Sequence, residues 1–176
     1  MPFKIGDRVV HPHHGLGTIT NLANREFEPG MPRGYYEISV EDGTLWVPVD
    51  DPSLGLRGLT SKSHLARCAE ILQSAPSASD LDPRKLKEQL SKHLRDGTIV
   101  SQCEVVRDVT ALGWKKPLMG AMADLRRVAF TVLCQEWAIV ADIPLNEATH
   151  RINGYLNAGK QIYQTKPQSQ HGGRTI

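Results

Sequence analysis

Along the first fifty positions the apolar residues fall in short runs, 8–11, 16–22, 35–40 and 45–49, each bounded by Gly, Pro, Asn or Asp. This is the punctuation of strands rather than helices. Tyr36, Ile38 and Val40 alternate with Glu37, Ser39 and Glu41, as in a strand buried on one face. Asp42-Gly43 then supplies the positive φ angles of a tight hairpin turn. About four or five such strands are too few for a two-sheet sandwich, and the pattern predicts a small, strongly bent SH3-like or Tudor-like β-barrel.

After residue 60 the period changes. Leu65, Cys68, Ala69 and Leu72 are spaced as on one helix face, predicting a helix over 61–73 with Ser61 or Ser63 as N-cap. The stretch 74–79 is small, polar and broken by Pro76, the composition of a linker. Asp82 and Pro83 then form a cap and a first-turn proline, and Leu86, Leu90 and Leu94 recur every fourth residue until Gly97. Further helices are predicted over 98–112 (Ile99, Cys103, Val106 and Val109 inward), over 118–141 (Met122, Leu125, Ala129, Val132, Leu133 and Val140), and after Pro144, where Leu145, Ala148, Ile152, Tyr155 and Leu156 are expected to be buried. The expected fold class is therefore α+β in two domains: a barrel over 1–60, a connecting helix and linker over 61–79, a compact four- to five-helix bundle over 80–165, and a disordered tail over 166–176.

Composition narrows the function classes. The 176 residues are 40% hydrophobic, with no run approaching the ~20 apolar residues of a membrane-spanning helix and no signal-peptide core in the first eight positions. A cytoplasmic protein with no membrane partner is expected. Cys68, Cys103 and Cys134 are odd in number and far apart, so neither a disulfide framework nor a metal knuckle is available and they read as small core residues. The net charge of +2 hides an asymmetry: residues 1–75 carry seven Lys/Arg against nine Asp/Glu, and the remainder carries fourteen against ten.

Three positions invite a chemical reading. His11-Pro12-His13-His14-Gly15 is the densest reactive cluster, but alternate side chains of an extended segment point to opposite faces, so it reads as a strand-to-turn corner whose imidazoles bond the backbone rather than as a metal site. No nucleophile elbow, dinucleotide fingerprint, phosphate loop or zincin motif is present, and Asp50-Asp51 beside Pro52 reads as an exposed turn. No enzyme, cofactor or metal is expected. The 82–95 helix carries five Lys/Arg against two acidic residues, a face that a phosphate backbone would attract or water would solvate. Lys115-Lys116 beside Trp114 is a basic-aromatic pair that fits nucleic acid or a cap on the bundle core, and Trp137 reads as core or interface.

The string Phe3-Lys4-Ile5-Gly6-Asp7-Arg8-Val9-Val10-His11-Pro12-His13-His14-Gly15 resembles the opening of the CarD family of bacterial RNA polymerase-binding transcription regulators, related to the polymerase-interacting module of transcription-repair coupling factor. Val47-Pro48-Val49 followed by Leu56-Arg57 looks like that family's later "V-P … G-x-R" segment, Glu104-Val105-Val106-Arg107-Asp108 like its "V-V-R-D", and Leu133-x-x-Glu136 like its "L-x-x-E". The resemblance implies a Tudor-like domain that docks on the β subunit of RNA polymerase, with Arg25 at the interface and Trp46 replacing a second interface arginine. It also implies a helical domain that meets promoter DNA at the upstream edge of the transcription bubble. The family's wedge tryptophan has no counterpart in Asp80-Leu81-Asp82-Pro83-Arg84-Lys85, so any DNA contact is expected to be electrostatic, through Arg84, Lys85, Lys87 and Lys92. A non-DNA-binding adaptor on the polymerase and, more remotely, a His-cluster metal-binding protein are the alternatives. A monomer is expected.

Overall fold

The computed structural model describes residues 3–51, 55–77 and 82–165. Five antiparallel strands, β1 (Arg8–His11), β2 (Gly15–Glu28), β3 (Met31–Val40), β4 (Gly43–Pro48) and β5 (Arg57–Gly58), form one sheet in the order β4-β3-β2-β1-β5. Val9, Ile19, Tyr36, Ile38 and Val47 make its core. The ladder does not close from β5 back to β4, so an open sheet stands where a barrel was expected. With two residues, β5 offers too few backbone groups to bridge that gap.

β2 and β3 run further than the hydrophobic pattern predicted. Their distal halves, paired through Asn24 with Gly34, Arg25 with Arg33 and Glu28 with Met31, form a protruding hairpin around Pro29-Gly30. Most of these side chains are exposed, so no alternation marks the strands, and the ladder bonds are supplemented only by side-chain contacts on the outer face. A register shift between Ile19 and Asn21 lets the Thr20 hydroxyl donate to the Glu37 carbonyl at 3.1 Å.

Five helices follow: α1 (Leu65–Gln73), α2 (Pro83–Arg95), α3 (Ile99–Leu112), α4 (Gly120–Ala141) and α5 (Leu145–Thr165). The Asp82 side chain accepts from the backbone N–H groups of Arg84 and Lys85, and Thr98 caps α3 through Ser101, each satisfying donors that a helix start leaves unpaired. The start predicted at Ser61 is instead a 3-10 turn over Lys62–His64, because the Ser61 hydroxyl bonds Ser63 and His64 side chains and caps no backbone N–H. All three cysteines lie in the helical core. Leu145, expected inside, is half exposed at the head of α5. No single described helix is long and apolar enough to cross a membrane.

α1 is part of the bundle rather than a connector, since it packs on both α3 and α5. Gly159 permits this: a Cβ there would sit 3.1 Å from the carbonyl oxygens of Leu72 and Gln73, closer than ordinary van der Waals contact. The first part of the expected linker is also fixed. Arg107 donates to Ser74 Oγ at 2.9 Å, Ser77 Oγ at 3.1 Å and Asp108 Oδ1 at 2.7 Å, and the Ser77 N–H reaches the same Asp108 oxygen at 3.0 Å. The rest of that linker, 78–81, and the expected tail, 166–176, lie outside the described residues.

The sheet is locked to the bundle by one ion pair. The Arg57 guanidinium on β5 donates to both oxygens of Glu136 on α4, each at 2.6 Å, and to Gln102 Oε1 on α3 at 2.9 Å. The Thr60 N–H adds a bond of 2.9 Å to Glu136 Oε1. The Glu136 side chain is 0% exposed and that of Arg57 16%. Nearby, Gly55 adopts φ +70°, and a Cβ there would meet the Arg95 carbonyl oxygen at 3.0 Å and Pro12 Cγ at 3.1 Å, so the end of α2 also closes on the β1–β2 turn. Removing one partner of a buried pair strands the other, at a cost of about 3–5 kcal/mol. Arg57→Ala is expected to lose that much unfolding free energy in urea at neutral pH, and Arg57→Met/Glu136→Leu, which strands no charge, is expected to lose less than either half alone.

Candidate interaction surfaces

The outer face of the β2–β3–β4 hairpin carries a cation-aromatic cluster. Because Glu37 pairs with Trp46 and Tyr35 with Pro48, while Tyr36 and Val47 point to the core, Tyr35 and Trp46 fall on the opposite face. The Arg25 guanidinium lies over the Trp46 ring, 4.3 Å from its centroid, within cation–π range. Phe27 stands edge-on to Tyr35 at 4.9 Å and tilted to Trp46 at 6.4 Å. Phe27 is 57% exposed and Met31 60%, with Leu22 and Val49 also exposed. Arg33 bonds Asp50 at 2.8 Å across the strands, and β4 is the open edge of the sheet. The two residues singled out here from sequence, Arg25 and Trp46, thus touch. Phe27 and Tyr35 complete the patch, and their only signal in the sequence is two aromatics flanking a polar turn.

On α2 the four basic candidates, Arg84, Lys85, Lys87 and Lys92, are all exposed. At 3.6 residues per turn, Arg84, Lys85, Lys92 and also Arg95 share the side opposite the Leu86/Leu90/Leu94 stripe, whereas Lys87 falls at its flank. The basic face is therefore Arg84, Lys85, Lys92 and Arg95. Among the described residues none of these forms an ion pair with a carboxylate. His93 is turned to α3 instead, bonded to Glu104 at 2.7 Å. Trp114 is half-buried against Tyr163, at 5.6 Å between ring centroids, with Lys115 and Lys116 exposed after it. Trp137 is core, packed on Tyr155.

The histidine corner is bonded to its own backbone. His11 Nδ1 accepts the N–H groups of His13 at 3.2 Å and His14 at 3.3 Å, and the His11 and His14 rings lie 4.8 Å apart. Among the described residues no group of three His, Cys, Asp or Glu side chains is placed to hold a metal ion.

The sheet thus carries an arginine-aromatic patch, and the helical part carries a basic face on α2. Residues 3–60 match the family model of the CarD-like/TRCF RID domain. "Putative transcription factor YdeB" of Bacillus subtilis (strain 168) is 26% identical over 143 residues, which cover 80% of this chain and 94% of that protein. The sheet-bearing part of the chain is thus similar to the CarD-like/TRCF RID domain, and the chain as a whole is similar to a protein named as a putative transcription factor.

The histidine corner carries a pH dependence. Burial, and then the nearby His14 and His13, lower the His11 pKa from 6.5 to about 4, and burial also lowers that of His13. Protonating His11 would turn its acceptor nitrogen into a donor facing two backbone N–H groups. A depressed folded-state pKa means that stability is full above 6.5 and is lost as pH falls toward about 4. The urea midpoint is expected to drop through that window, and to drop less in His11→Asn, whose amide oxygen can accept the same two bonds without titrating.

Proposed function

We propose that the protein docks on the β subunit of RNA polymerase through the outer face of the β2–β4 hairpin, with Arg25 and Trp46 at the centre. We further propose that it acts as a cytoplasmic monomer and places the basic face of α2 against promoter DNA near the upstream edge of the bubble. The observation that carries this reading is the stacked Arg25–Trp46 pair, flanked by exposed Phe27 and half-buried Tyr35, with Trp46 on the edge strand β4. Tryptophan, tyrosine and arginine dominate binding energy at protein interfaces because they bury large area at low entropic cost. An open edge also offers unpaired backbone groups to a partner strand. The α2 face suits a weaker, sequence-independent contact, since its cations have no carboxylate partners among the described residues and phosphates attract them without reading bases.

A second reading has one specific observation in its favour: the described start of α2, Asp82-Pro83-Arg84-Lys85, presents no aromatic side chain that could wedge between bases. On that reading the helical part binds a second protein, and the polymerase contact is unchanged.

Two measurements separate these. A pull-down with the isolated β-subunit lobe is expected to retain the wild-type chain, and Arg25→Glu or Trp46→Ala to weaken it by about 30-fold, the equivalent of a 2 kcal/mol hot spot. Failure of the wild type to be retained would sink the docking proposal. Binding of the polymerase-bound protein to bubble-containing promoter DNA should fall steeply with salt. Arg84→Ala/Lys85→Ala/Lys92→Ala should flatten that slope by roughly 0.9 for each phosphate that is no longer neutralised, and Lys87→Ala should change it less. A slope unaltered by the triple substitution selects the adaptor reading.

A further inference from the structure

A cleft of about 460 Å³ opens between the end of α3, the loop after it, and α4 and α5, lined by Thr110, Trp114, Arg126, Asn157 and Lys160 among others. None of its lining residues is acidic and none belongs to α2. Arg126 and Lys160 are both partly buried, and among the described residues neither has a carboxylate partner; Asp124, the nearest acidic residue in sequence to Arg126, faces Arg127 at 3.7 Å. Arg126 is held in place by a bond of 3.4 Å from its Nε to Thr110 Oγ1 and by the Phe130 ring, 5.6 Å from its guanidinium carbon. Lys115 and Lys116 add exposed charge in the loop that follows Trp114.

Arg126 and Lys160 both line this cleft, neither with a carboxylate partner among the described residues, so an anion bound there is attracted by two positive charges. Phosphate is the anion that an arginine and a lysine together recognise best, the first through its planar fork and the second as a point charge. Beside them, Trp114 offers an indole for stacking and Asn157 an amide for a base edge. The volume falls inside the range of about 300–1,000 Å³ usual for small-ligand sites. We propose that this cleft binds a nucleotide unit, its phosphate between Arg126 and Lys160 and its base against Trp114. The unit is either a free nucleotide or one residue of an unpaired strand. The site stands apart from α2 and does not rest on the reading that α2 touches DNA.

The test uses the full chain and two probes followed by fluorescence anisotropy: a fluorescein-labelled single-stranded oligonucleotide and methylanthraniloyl-ATP. The wild type is expected to bind at least one of them. Arg126→Gln/Lys160→Gln and, separately, Trp114→Leu should each weaken binding by about tenfold, the loss typical of one stacked base. Thermal melting checks that each variant folds, and Lys160→Gln alone replaces the double variant if that one melts early. Binding of the oligonucleotide alone assigns the site to a strand, and binding of the mononucleotide assigns it to a free ligand. The proposal is overturned if neither probe binds, or if the cleft variants bind as the wild type does. In the latter case, loss of oligonucleotide binding in Arg84→Ala/Lys85→Ala/Lys92→Ala leaves the α2 contact standing and removes only the cleft.

Discussion

The bidentate pair between Arg57 and Glu136 is the constraint on which the arrangement of the whole chain depends. A carboxylate with no solvent exposure is costly to desolvate, and it is tolerated only where its oxygens are fully partnered. Here both oxygens of Glu136 receive Arg57, one also receives the Thr60 N–H, and Arg57 is shared with Gln102. The partners come from the end of the sheet, from the segment leading to α1, and from α3 and α4. The pair is satisfied in only one relative placement of these elements. Its contribution is therefore geometric more than energetic: it sets the angle at which the sheet meets the bundle, and with it the direction of the β2–β3 hairpin.

Two of the three segments that resemble the CarD family in sequence form this pair, and the third makes a separate tie. Gly55-x-Arg57 and Leu133-x-x-Glu136 are 79 positions apart at their charged ends and form the two halves of the lock. Gly55 brings the chain against α2, and Leu133 fills the bundle core one turn before Glu136. Arg107-Asp108, within the third segment, ties down Ser74 and Ser77. None of the three forms part of a binding surface in this structure. They hold the sheet, the helices and the first part of the linker in place.

The helices were legible in the sequence because each carries an apolar stripe of helical period, and α2 and α3 are marked a second time by the capping residues Asp82 and Thr98 and by Gly97 between them. The strands were legible only where one face is buried. Beyond Leu22 and before Tyr35 both faces meet water, the alternation disappears, and β2 and β3 continue on backbone pairing that leaves no hydrophobic period in the sequence. Barrel closure was inferred from strand number, but closure depends on the length of the last strand, and β5 has two residues. The cation-aromatic patch shows the same limit. Arg25 and Trp46 could be singled out separately by resemblance, but their contact depends on cross-strand register, which the hydrophobic pattern fixes near Ile38 and cannot carry to the hairpin tip. On α2 the periodicity was clear, and the angular position of each lysine followed from it, which moves Arg95 onto the basic face and Lys87 off it.

The lock has a consequence for how two weak surfaces could act together. An aromatic patch of this size and a face of four cations would each bind modestly alone. If the two parts moved independently, engaging the first would leave the second free to search. Held at a fixed angle, the second surface is presented at an effective concentration set by geometry, and joint binding exceeds either contact without any new interaction. The same rigidity works against any partner whose two sites do not match that angle. In the proposed setting, where polymerase holds both the protein and the promoter, loosening Arg57 or Glu136 would therefore weaken DNA contact even though neither residue lies on either surface, and it would leave docking of the hairpin on the isolated β-subunit lobe unchanged.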